Sequence, residues 1–432
     1  MRIDIVNGSI VTGDGKSVLE NTSVIIEGCF IRELPPVSYV PYNAYADKVI
    51  NARDGLIIPG VINIHTHGSA FGTFQPWALS GLSTERILFN LDTHLLQGST
   101  TIMNADALCL PAEIEAINKL HPVNVKMATM HTPLHVKAAE LTLGHPVEER
   151  RKKFTAEEAV QMGAVALGEV GSPGTAFGTS EKGMRLGKYI SARQALALDN
   201  AVIANDEAAI RKVLDDAGLS DVTITQAKKL VEDTSVIPVA ACCDAIRESV
   251  SYVKKLGLPV LAHSEPGMKE ALLEVAREIG PKLIAVHVNH SFTADEMVSF
   301  ARELKRLGAI VEVISTDSFG ARQVEPDPEG TFALLKAGLA DVMTTDFCGG
   351  YHDPMLLFLQ KAIENRVISL SRAIQLVTSA PARVIPGVAP NKGIVEPGKV
   401  ADICIVDRDD ISKVRHVIIA GRVVVEDGKI VV

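Results

Sequence analysis

Hydrophobic and polar residues alternate at both ends of the chain, and this pattern predicts antiparallel β-strands. The N-terminal runs IDIVNGSIVT and SVIIEGCFIREL have turn signals at Asn7–Gly8 and Glu27–Gly28. The C-terminal region repeats the pattern, with a turn signal at Asp427–Gly428. Each end is too short to close a core of its own. We therefore expect residues 1–58 and 388–432 to form one small β-sandwich domain.

Between these ends, across residues 59–387, short apolar runs alternate with amphipathic segments of helical period. This alternation is typical of parallel β-strands joined by helices. The apolar runs end at or near polar residues, namely His65, Asn104, His131, Glu169, His263, His287, Ser315 and Asp346. This count predicts a TIM-type (β/α)8 barrel of the α/β class rather than an open doubly wound sheet.

The connection between the fourth and fifth predicted strands, about residues 172–239, is much longer than the other connections. Its first part is rich in glycine and its second part has helical patterning. Long insertions at this end of a barrel serve as lids or binding loops, whereas a surface embellishment without a role in catalysis is the alternative. The sequence leaves both interpretations open.

The composition excludes several classes of protein. The chain has 432 residues, of which 47% are hydrophobic, and this is incompatible with a disordered protein. A net charge of −9 without a lysine–arginine run argues against nucleic acid or an acidic membrane as the partner. Scattered cysteines and the lack of a signal peptide or apolar membrane span favour a soluble, cytoplasmic protein. We expect its partner to be a small-molecule substrate.

The polar residues at the strand ends are the candidate chemical groups. In a βα barrel, the carboxyl ends of all strands converge on one pocket. The candidates are imidazoles and carboxylates, namely His65, His67, Glu169, His263, His287 and Asp346. This mixture of donors suits zinc, iron or manganese. Sequence motifs for nucleotide cofactors do not occur at a strand-to-helix junction, so metal is the expected cofactor.

Strand alternation bears on which histidines act together. It directs His65 and His67 to the same side of their strand, so that both can bind one ion; a pair of core histidines is the alternative. In the segment VHVNH, alternation sends His287 and His290 to opposite sides, so one of them should be the ligand. We favour His287 because it is nearer to the strand.

Asp346 closes the eighth predicted strand. An aspartate beside a metal site can accept a proton from water and later deliver it to a leaving nitrogen. The alternative is that Asp346 caps a helix that begins near Asp353. We assign His131, His290 and Cys348 to the substrate pocket. No cysteine–histidine arrangement is evident that would make Cys348 a nucleophile.

These motifs resemble those of the amidohydrolase superfamily, along the whole chain. The resemblance lies in the entry segment PGVINIHTHG and the closing segment TSAPARVIPGVAPNKGIVEPGKVADICIVD. GEVG around Glu169 and VHVNHS around His287 resemble the branch that includes enamidase and adenine deaminase, whereas hydantoinase-like relatives commonly have a carboxylated lysine in the fourth strand.

The resemblance implies a role for each candidate. It implies that His65 and His67 bind the more buried of two metal ions, that Glu169 bridges both ions, and that His263 and His287 bind the second ion. It further implies that Asp346 contacts the first ion and acts as the acid and base.

The expected activity is metal-dependent hydrolysis of a carbon–nitrogen bond by metal-activated hydroxide, in a cyclic amide, imide or lactam-like molecule. A heterocycle deaminase that releases ammonia is the alternative, and an inactive scaffold is a remote one. The expected cofactor is zinc, with one or two ions per chain and with iron or manganese as alternatives. Relatives are often homo-oligomers, and we expect one here. The insertion at about 172–239 and the segment FCGGYHDP differ from enamidase-like relatives, so no single substrate is carried over.

Overall fold

The computed structural model describes most of the chain, and the statements below refer to these residues. The described ranges are 1–36, 45–70, 82–106, 108–143, 146–171, 192–234, 239–290, 292–316, 318–319, 328–347 and 352–432.

Seven short strands precede the barrel. They are β1 (Arg2–Val6), β2 (Ser9–Val11), β3 (Val18–Leu19), β4 (Val24–Glu27), β5 (Phe30–Glu33), β6 (Lys48–Asn51) and β7 (Leu56–Pro59). The predicted hairpin at Glu27–Gly28 is present, since β4 and β5 pair antiparallel. The predicted hairpin at Asn7–Gly8 is wrong: β1 pairs with β4 and β6, whereas β2 pairs with β3 and β7. Asn7 does have the positive φ of a turn, but the turn moves the chain from one sheet to another.

Eight parallel strands form a nearly closed barrel, so the predicted TIM-type fold is confirmed. They are β8 (Val61–Thr66), β9 (Ser99–Asn104), β10 (Asn124–Thr129), β11 (Ala166–Val170), β12 (Val260–His263), β13 (Leu283–Val286), β14 (Ile310–Ile314) and β15 (Val342–Thr344). Each strand pairs with the next in chain order. The last strand returns to the first, because the amide of Asp346 donates to the carbonyl of His65 at 3.1 Å and the amide of His67 donates to that of Phe347 at 2.7 Å.

Four further strands follow the barrel, and they complete the small β domain. They are β16 (Ile403–Val406), β17 (Val414–Ile419), β18 (Arg422–Glu426) and β19 (Lys429–Ile430). Their sheet has the order β19-β18-β17-β16-β7-β2-β3, so it contains strands from both ends of the chain. The apolar run LIIPGVINI, which ends at His65, contains two strands: β7 belongs to this sheet and β8 to the barrel. The chain changes sheets at Gly60, where an added Cβ would collide with the side chain of Thr100.

Helices surround the barrel strands. The described α-helices are α1 (Thr84–Leu96), α2 (Pro111–Asn118), α3 (Pro133–Leu143), α4 (Glu149–Lys152), α5 (Ala156–Gln161), α6 (Ala192–Ile203), α7 (Glu207–Asp216), α8 (Ile224–Thr234), α9 (Val239–Leu256), α10 (Lys269–Ile279), α11 (Ala294–Arg306), α12 (Glu329–Lys336), α13 (Met355–Glu364), α14 (Leu370–Leu376) and α15 (Ser379–Val384). Local sequence fixes several helix ends. For example, Thr293 and Glu296 form a capping box at the start of α11, since each side chain accepts a hydrogen bond from the other residue's amide.

Apolar side chains fill the barrel on both sides of its strands. Alternate residues such as Ile62, Ile64 and Leu261 pack inside the barrel, while Val61 and Val260 pack in the layer under the helices. Burial of this apolar surface is the main favourable contribution to folding. The carboxyl ends of the strands are therefore held on a rigid base.

The predicted insertion between the fourth and fifth barrel strands is partly described. Its helices α6, α7 and α8 pack on one another around a small core of their own, which includes Leu198, Ile210, Leu214 and Leu230. Helix α6 also contacts the short 3₁₀ turn Pro266–Met268, which follows the end of β12. The glycine-rich first part of the insertion lies outside the described residues. Among the described helices, none has both the length and the apolar composition to cross a membrane.

His94 on α1 is a fully buried imidazole, and neither of its ring nitrogens has a hydrogen-bond partner. Burial, with added repulsion from His352 and His121, holds the pKa of His94 well below its usual value. The unfolded chain binds a proton at this residue near pH 6.5, whereas the folded chain does not. As the pH falls below 6.5, His94 therefore reduces the free energy of unfolding by up to about 1.4 kcal/mol per pH unit.

We predict that His94→Leu makes the metal-free protein less sensitive to acid. The measurement is the urea midpoint of unfolding at pH 8 and at pH 5.5, for the variant and for the unmodified chain. The pH 8 values show the effect of packing alone, because His94 is neutral in both states there. We expect a smaller fall in midpoint between the two pH values for the variant. Equal falls would show that His94 does not contribute to acid sensitivity.

Candidate metal centre

The six residues predicted as metal ligands come together at the carboxyl ends of the barrel strands. They form two groups, and within each group one potential ligand atom per residue lies within 4.8 Å of the others. The first group is His65, His67 and Asp346, and the second group is Glu169, His263 and His287. They come from β8, β11 and β12 and from the segments that follow β8, β13 and β15. Residues that are far apart in the sequence are thus neighbours because of the barrel.

In the first group, two imidazole nitrogens face one aspartate oxygen. His65 Nε2 lies 3.5 Å and His67 Nε2 lies 3.4 Å from Asp346 Oδ1. Asp346 is the most accessible of the three, with its side chain 20% exposed, while that of His65 is fully buried. The aspartate is therefore the member of this group that lies nearest to solvent.

In the second group, two imidazoles contact one oxygen of Glu169. His263 Nδ1 lies 2.7 Å and His287 Nε2 lies 3.0 Å from Glu169 Oε1. The other oxygen of Glu169 faces the first group, at 3.6 Å from His65 Nε2 and 3.5 Å from His67 Nε2. One buried carboxylate thus lies between the two groups and presents one oxygen to each.

The backbone is strained at two residues of the site. His287 has φ 38° and Asp346 has φ 48°, both in the left-handed region that non-glycine residues rarely adopt. Each such residue costs roughly 1–3 kcal/mol, and such strain is concentrated at functional sites. The residues from His287 to His290 form a turn, so the alternation expected for this segment does not apply. His287 contacts Glu169, and its ring lies 5.9 Å from that of His290.

Three carboxylates that were not predicted from the sequence contact these histidines, each at the ring nitrogen that faces away from the centre. His67 Nδ1 lies 3.0 Å from Asp106 Oδ1, His65 Nδ1 lies 3.0 Å from Glu312 Oε1, and His263 Nε2 lies 3.1 Å from Glu265 Oε1. A carboxylate in this position fixes the tautomer and orientation of an imidazole, so that its other nitrogen is available as a ligand. One signal was present in the sequence, since Glu312 is a charged residue within an apolar strand.

The carboxylates also control the charge of the site in the metal-free protein. Burial favours neutral imidazoles, but Glu312, Asp346 and Glu169 outweigh it and raise the pKa of His65 to about 10. In the same way, Glu169 and Glu265 outweigh burial and raise the pKa of His263 to about 10. The histidines hold the pKa values of Glu169 and Asp346 well below their usual range, although burial opposes this. Metal binding at such a site must therefore release protons.

The donor set fits a divalent metal ion. His65 Nε2 is fully buried without a hydrogen-bond partner, although three potential ligand atoms surround it. Two ligands that each lie about 2.0–2.1 Å from a tetrahedral zinc ion are about 3.4 Å apart. The four distances of 3.4–3.6 Å that join His65 and His67 to Asp346 and Glu169 agree with this spacing. Imidazole nitrogen and carboxylate oxygen suit zinc, iron and manganese.

Two of the three residues assigned to the substrate pocket, His131 and His290, are among the described residues. His131 follows β10, and its Nδ1 lies 2.9 Å from Thr129 Oγ1, while its Nε2 is buried without a hydrogen-bond partner. His290 lies in the turn beside His287. Burial lowers the pKa of His131 to about 3 and, with repulsion from His287, that of His290 to about 4. Cys348 lies outside the described residues.

The alternative role for Asp346, as a helix cap, is not supported by the structure. The following helix, α13, begins at Met355 with Pro354 at its N-cap position. Asp346 lies eight residues before this position and instead faces His65 and His67. Its side chain is therefore part of the site and not of the helix end.

Comparisons with known proteins agree with this fold. A profile of the amidohydrolase family matches residues 56–424 of the chain. No curated protein matches the sequence.

Solved structures of three enzymes are similar to the whole chain. The β-aspartyl dipeptidase of Fervidobacterium islandicum AW-1 has 15% identity and a TM-score of 0.63, over 100% of this chain and 99% of that chain. Enamidase has 16% identity and a TM-score of 0.59, over 99% and 97% of the two chains. A D-hydantoinase has 17% identity and a TM-score of 0.53, over 100% of this chain and 96% of that chain. At these identities the similarity establishes the fold, while the family match covers most of the chain. The protein therefore belongs to the amidohydrolase family, enzymes that hydrolyse carbon–nitrogen bonds.

Proposed function

We propose that this enzyme hydrolyses a carbon–nitrogen bond in a cyclic amide, imide or lactam-like molecule, and that two divalent metal ions serve as its cofactor. The observation that carries the proposal is the position of Glu169, which presents Oε2 to His65 and His67 and Oε1 to His263 and His287. A carboxylate with this arrangement is suited to bridge two ions. We propose zinc, with iron or manganese as alternatives, because the donors are imidazoles and carboxylates.

When bound, divalent metals supply hydroxide at neutral pH and polarise a carbonyl group. The protein's own contribution to the reaction begins with Asp346. The neighbouring histidines lower the pKa of its carboxyl group, so at neutral pH it is ionised, which is the form that can accept a proton. Since its side chain is partly exposed at the mouth of the barrel, it can pass that proton to the leaving nitrogen of a substrate.

The imidazoles of His131 and His290 favour a substrate without a net charge. Both are neutral at physiological pH, because burial keeps their pKa values low. A neutral imidazole has one nitrogen that donates a hydrogen bond and one that accepts, which suits the N–H and C=O groups of a cyclic amide. We propose that these two residues, together with Cys348, contact the substrate.

The presence of Glu169 in the fourth strand supports placement with enamidase and adenine deaminase. Relatives of the hydantoinase type commonly have a carboxylated lysine there, whereas this chain has a glutamate that already reaches both groups. The solved structures of enamidase and D-hydantoinase have the same fold as this chain, so the fold does not discriminate between the two branches. The glutamate in the fourth strand is therefore the feature that favours the branch of enamidase and adenine deaminase.

We predict that Glu169→Gln lowers the metal content of the protein. Glutamine has a single oxygen, so it cannot present one acceptor oxygen to each group of histidines. We expect the unmodified chain to hold about two zinc ions after dialysis and the variant to hold one or none, as measured by plasma mass spectrometry. Glu248→Gln is the matched control, because Glu248 contacts Thr132 and lies outside both groups. Two ions retained by Glu169→Gln would mean that the bridge lies elsewhere.

We predict that Asp346→Asn largely keeps its metal but lowers the turnover number by about 10²–10⁴-fold. The amide can no longer accept the proton that the reaction transfers. Asp341→Asn is the control, because Asp341 lies at the opposite end of β15 and pairs with Lys305. Unchanged turnover in Asp346→Asn, with the metal content verified in the same sample, would exclude this role for Asp346.

We predict that the metal-loaded enzyme opens a ring without releasing ammonia. The test uses a panel of cyclic ureas, imides, lactams and aminopurines, with Asp346→Asn as the blank. The two readouts are loss of ring absorbance and formation of ammonia. Absorbance loss without ammonia supports ring opening, whereas ammonia from an intact ring would show a deaminase and contradict the proposed reaction.

A further inference from the structure

The seventh barrel strand, β14, has a carboxylate within an apolar run, and this residue is Glu312. Its neighbours Val311 and Val313 pack in the outer layer under the helices, so Glu312 points into the barrel. The side chain is fully buried. A buried carboxylate is stable where hydrogen-bond donors compensate for the loss of water, so its partners indicate why it is there.

Glu312 has hydrogen-bond partners in both groups of the metal centre. Its Oε1 lies 3.0 Å from His65 Nδ1 and accepts a hydrogen bond from Thr344 Oγ1 at 2.6 Å. Its Oε2 accepts from the backbone amide of His287 at 2.7 Å. His65 belongs to the first group and His287 to the second. One side chain therefore contacts both groups, and at His65 it contacts the ring nitrogen opposite the one that faces Glu169.

The bond to His65 determines which nitrogen of that ring is available to a metal. When the neutral ring donates its Nδ1–H to Glu312, Nε2 is left with a free lone pair. Nε2 is the nitrogen that lies between Glu169 and Asp346. Glu312 thus orients the imidazole and selects the tautomer required for binding.

The bond to His287 acts on the backbone rather than on the ring. His287 is in the left-handed region, with φ 38°, which a residue with a side chain adopts only where its surroundings hold it. The hydrogen bond that the His287 amide donates to Glu312 holds the residue in this conformation. The same conformation places Nε2 of His287 at 3.0 Å from Glu169 Oε1.

We propose that Glu312 is a positioning residue for both groups at once, so that its loss weakens both metal-binding steps. This inference rests on the proposed two-metal function. Glu312 would not touch either ion or the substrate. It acts through the orientation of His65 and the backbone of His287.

Asp106 and Glu265 provide matched comparisons. Both are buried carboxylates, like Glu312, and each contacts a histidine of the centre. Asp106 contacts His67 of the first group and also the amide of Gly68, whereas Glu265 contacts His263 of the second group. We expect Asp106→Asn and Glu265→Gln each to weaken chiefly one binding step.

The experiment is a zinc titration of the metal-free full-length chain in competition with a series of chelators, which gives two dissociation constants. We expect Glu312→Gln to raise both constants by about 10–100-fold. A glutamine presents its amide N–H₂ either to His65 Nδ1 or to the His287 amide, and both are donors in the native arrangement. Circular dichroism and the melting temperature of the metal-free variants verify that they fold.

Thr344→Val keeps the proposal testable even where Glu312→Gln does not fold. This change removes the hydroxyl that donates to Glu312 Oε1 without altering a proposed ligand. We expect both constants to rise by about three- to tenfold.

The outcomes are distinct. A rise in both constants for folded Glu312→Gln, or for Thr344→Val, with one main step affected in Asp106→Asn and in Glu265→Gln, supports the proposal. A folded Glu312→Gln with one or neither constant changed would overturn it and leave the two-metal function in place. Fewer than two zinc ions in the unmodified chain would overturn the two-metal function, and the role of Glu312 with it.

Discussion

The burial of one negative charge, that of Glu169, is the constraint on which the rest of this site depends. The carboxylate lies at the end of β11, inside the barrel, and its two oxygens face four imidazoles. A carboxylate removed from water requires positive charge or hydrogen-bond donors around it. In the metal-free protein, protonated histidines meet this requirement, and metal ions can replace those protons. The same arrangement therefore stabilises the buried carboxylate without metal and would also suit metal binding.

A second layer of carboxylates makes the arrangement specific. Asp106, Glu265 and Glu312 each contact a histidine on the side away from the centre. Without these contacts the imidazole rings could rotate or carry the proton on the wrong nitrogen. The barrel provides the rigid base for both layers, because its strands are packed on apolar side chains inside and outside. The solvent exposure of the side chains increases from His65 to Asp346, and we propose that Asp346 transfers the proton.

Much of the fold, and the clustering of the six candidate ligands, could be predicted from the sequence for a simple physical reason. A polar residue directly after a buried strand must lie at the carboxyl end of the barrel, so His65, Glu169 and His263 could be placed together without knowledge of their distances. The second layer could not be predicted in this way. Asp106 and Glu265 lie in segments beyond the strand ends, where direction depends on loop conformation.

The sequence does show Glu312 as a charged residue within an apolar strand. Which residues it contacts, however, depends on strand register. Its carboxylate lies beside His65 because β14 is two strands from β8 around the nearly closed barrel, with β15 and Thr344 between them. The Asn7–Gly8 turn was misassigned for a similar reason, because long-range pairing decides which strands a turn joins. The local pattern also failed in the turn after β13. His287 and His290 lie beyond the end of the strand, where alternation no longer determines the direction of the side chains.

The most direct measurement is anomalous X-ray diffraction from crystals of the full-length chain grown with zinc, recorded at the zinc absorption edge. We expect two peaks per chain, about 3.5–4 Å apart and on either side of Glu169. One should lie among His65, His67 and Asp346, and the other beside His263 and His287. A single peak, or peaks away from Glu169, would contradict a two-metal centre bridged by this residue.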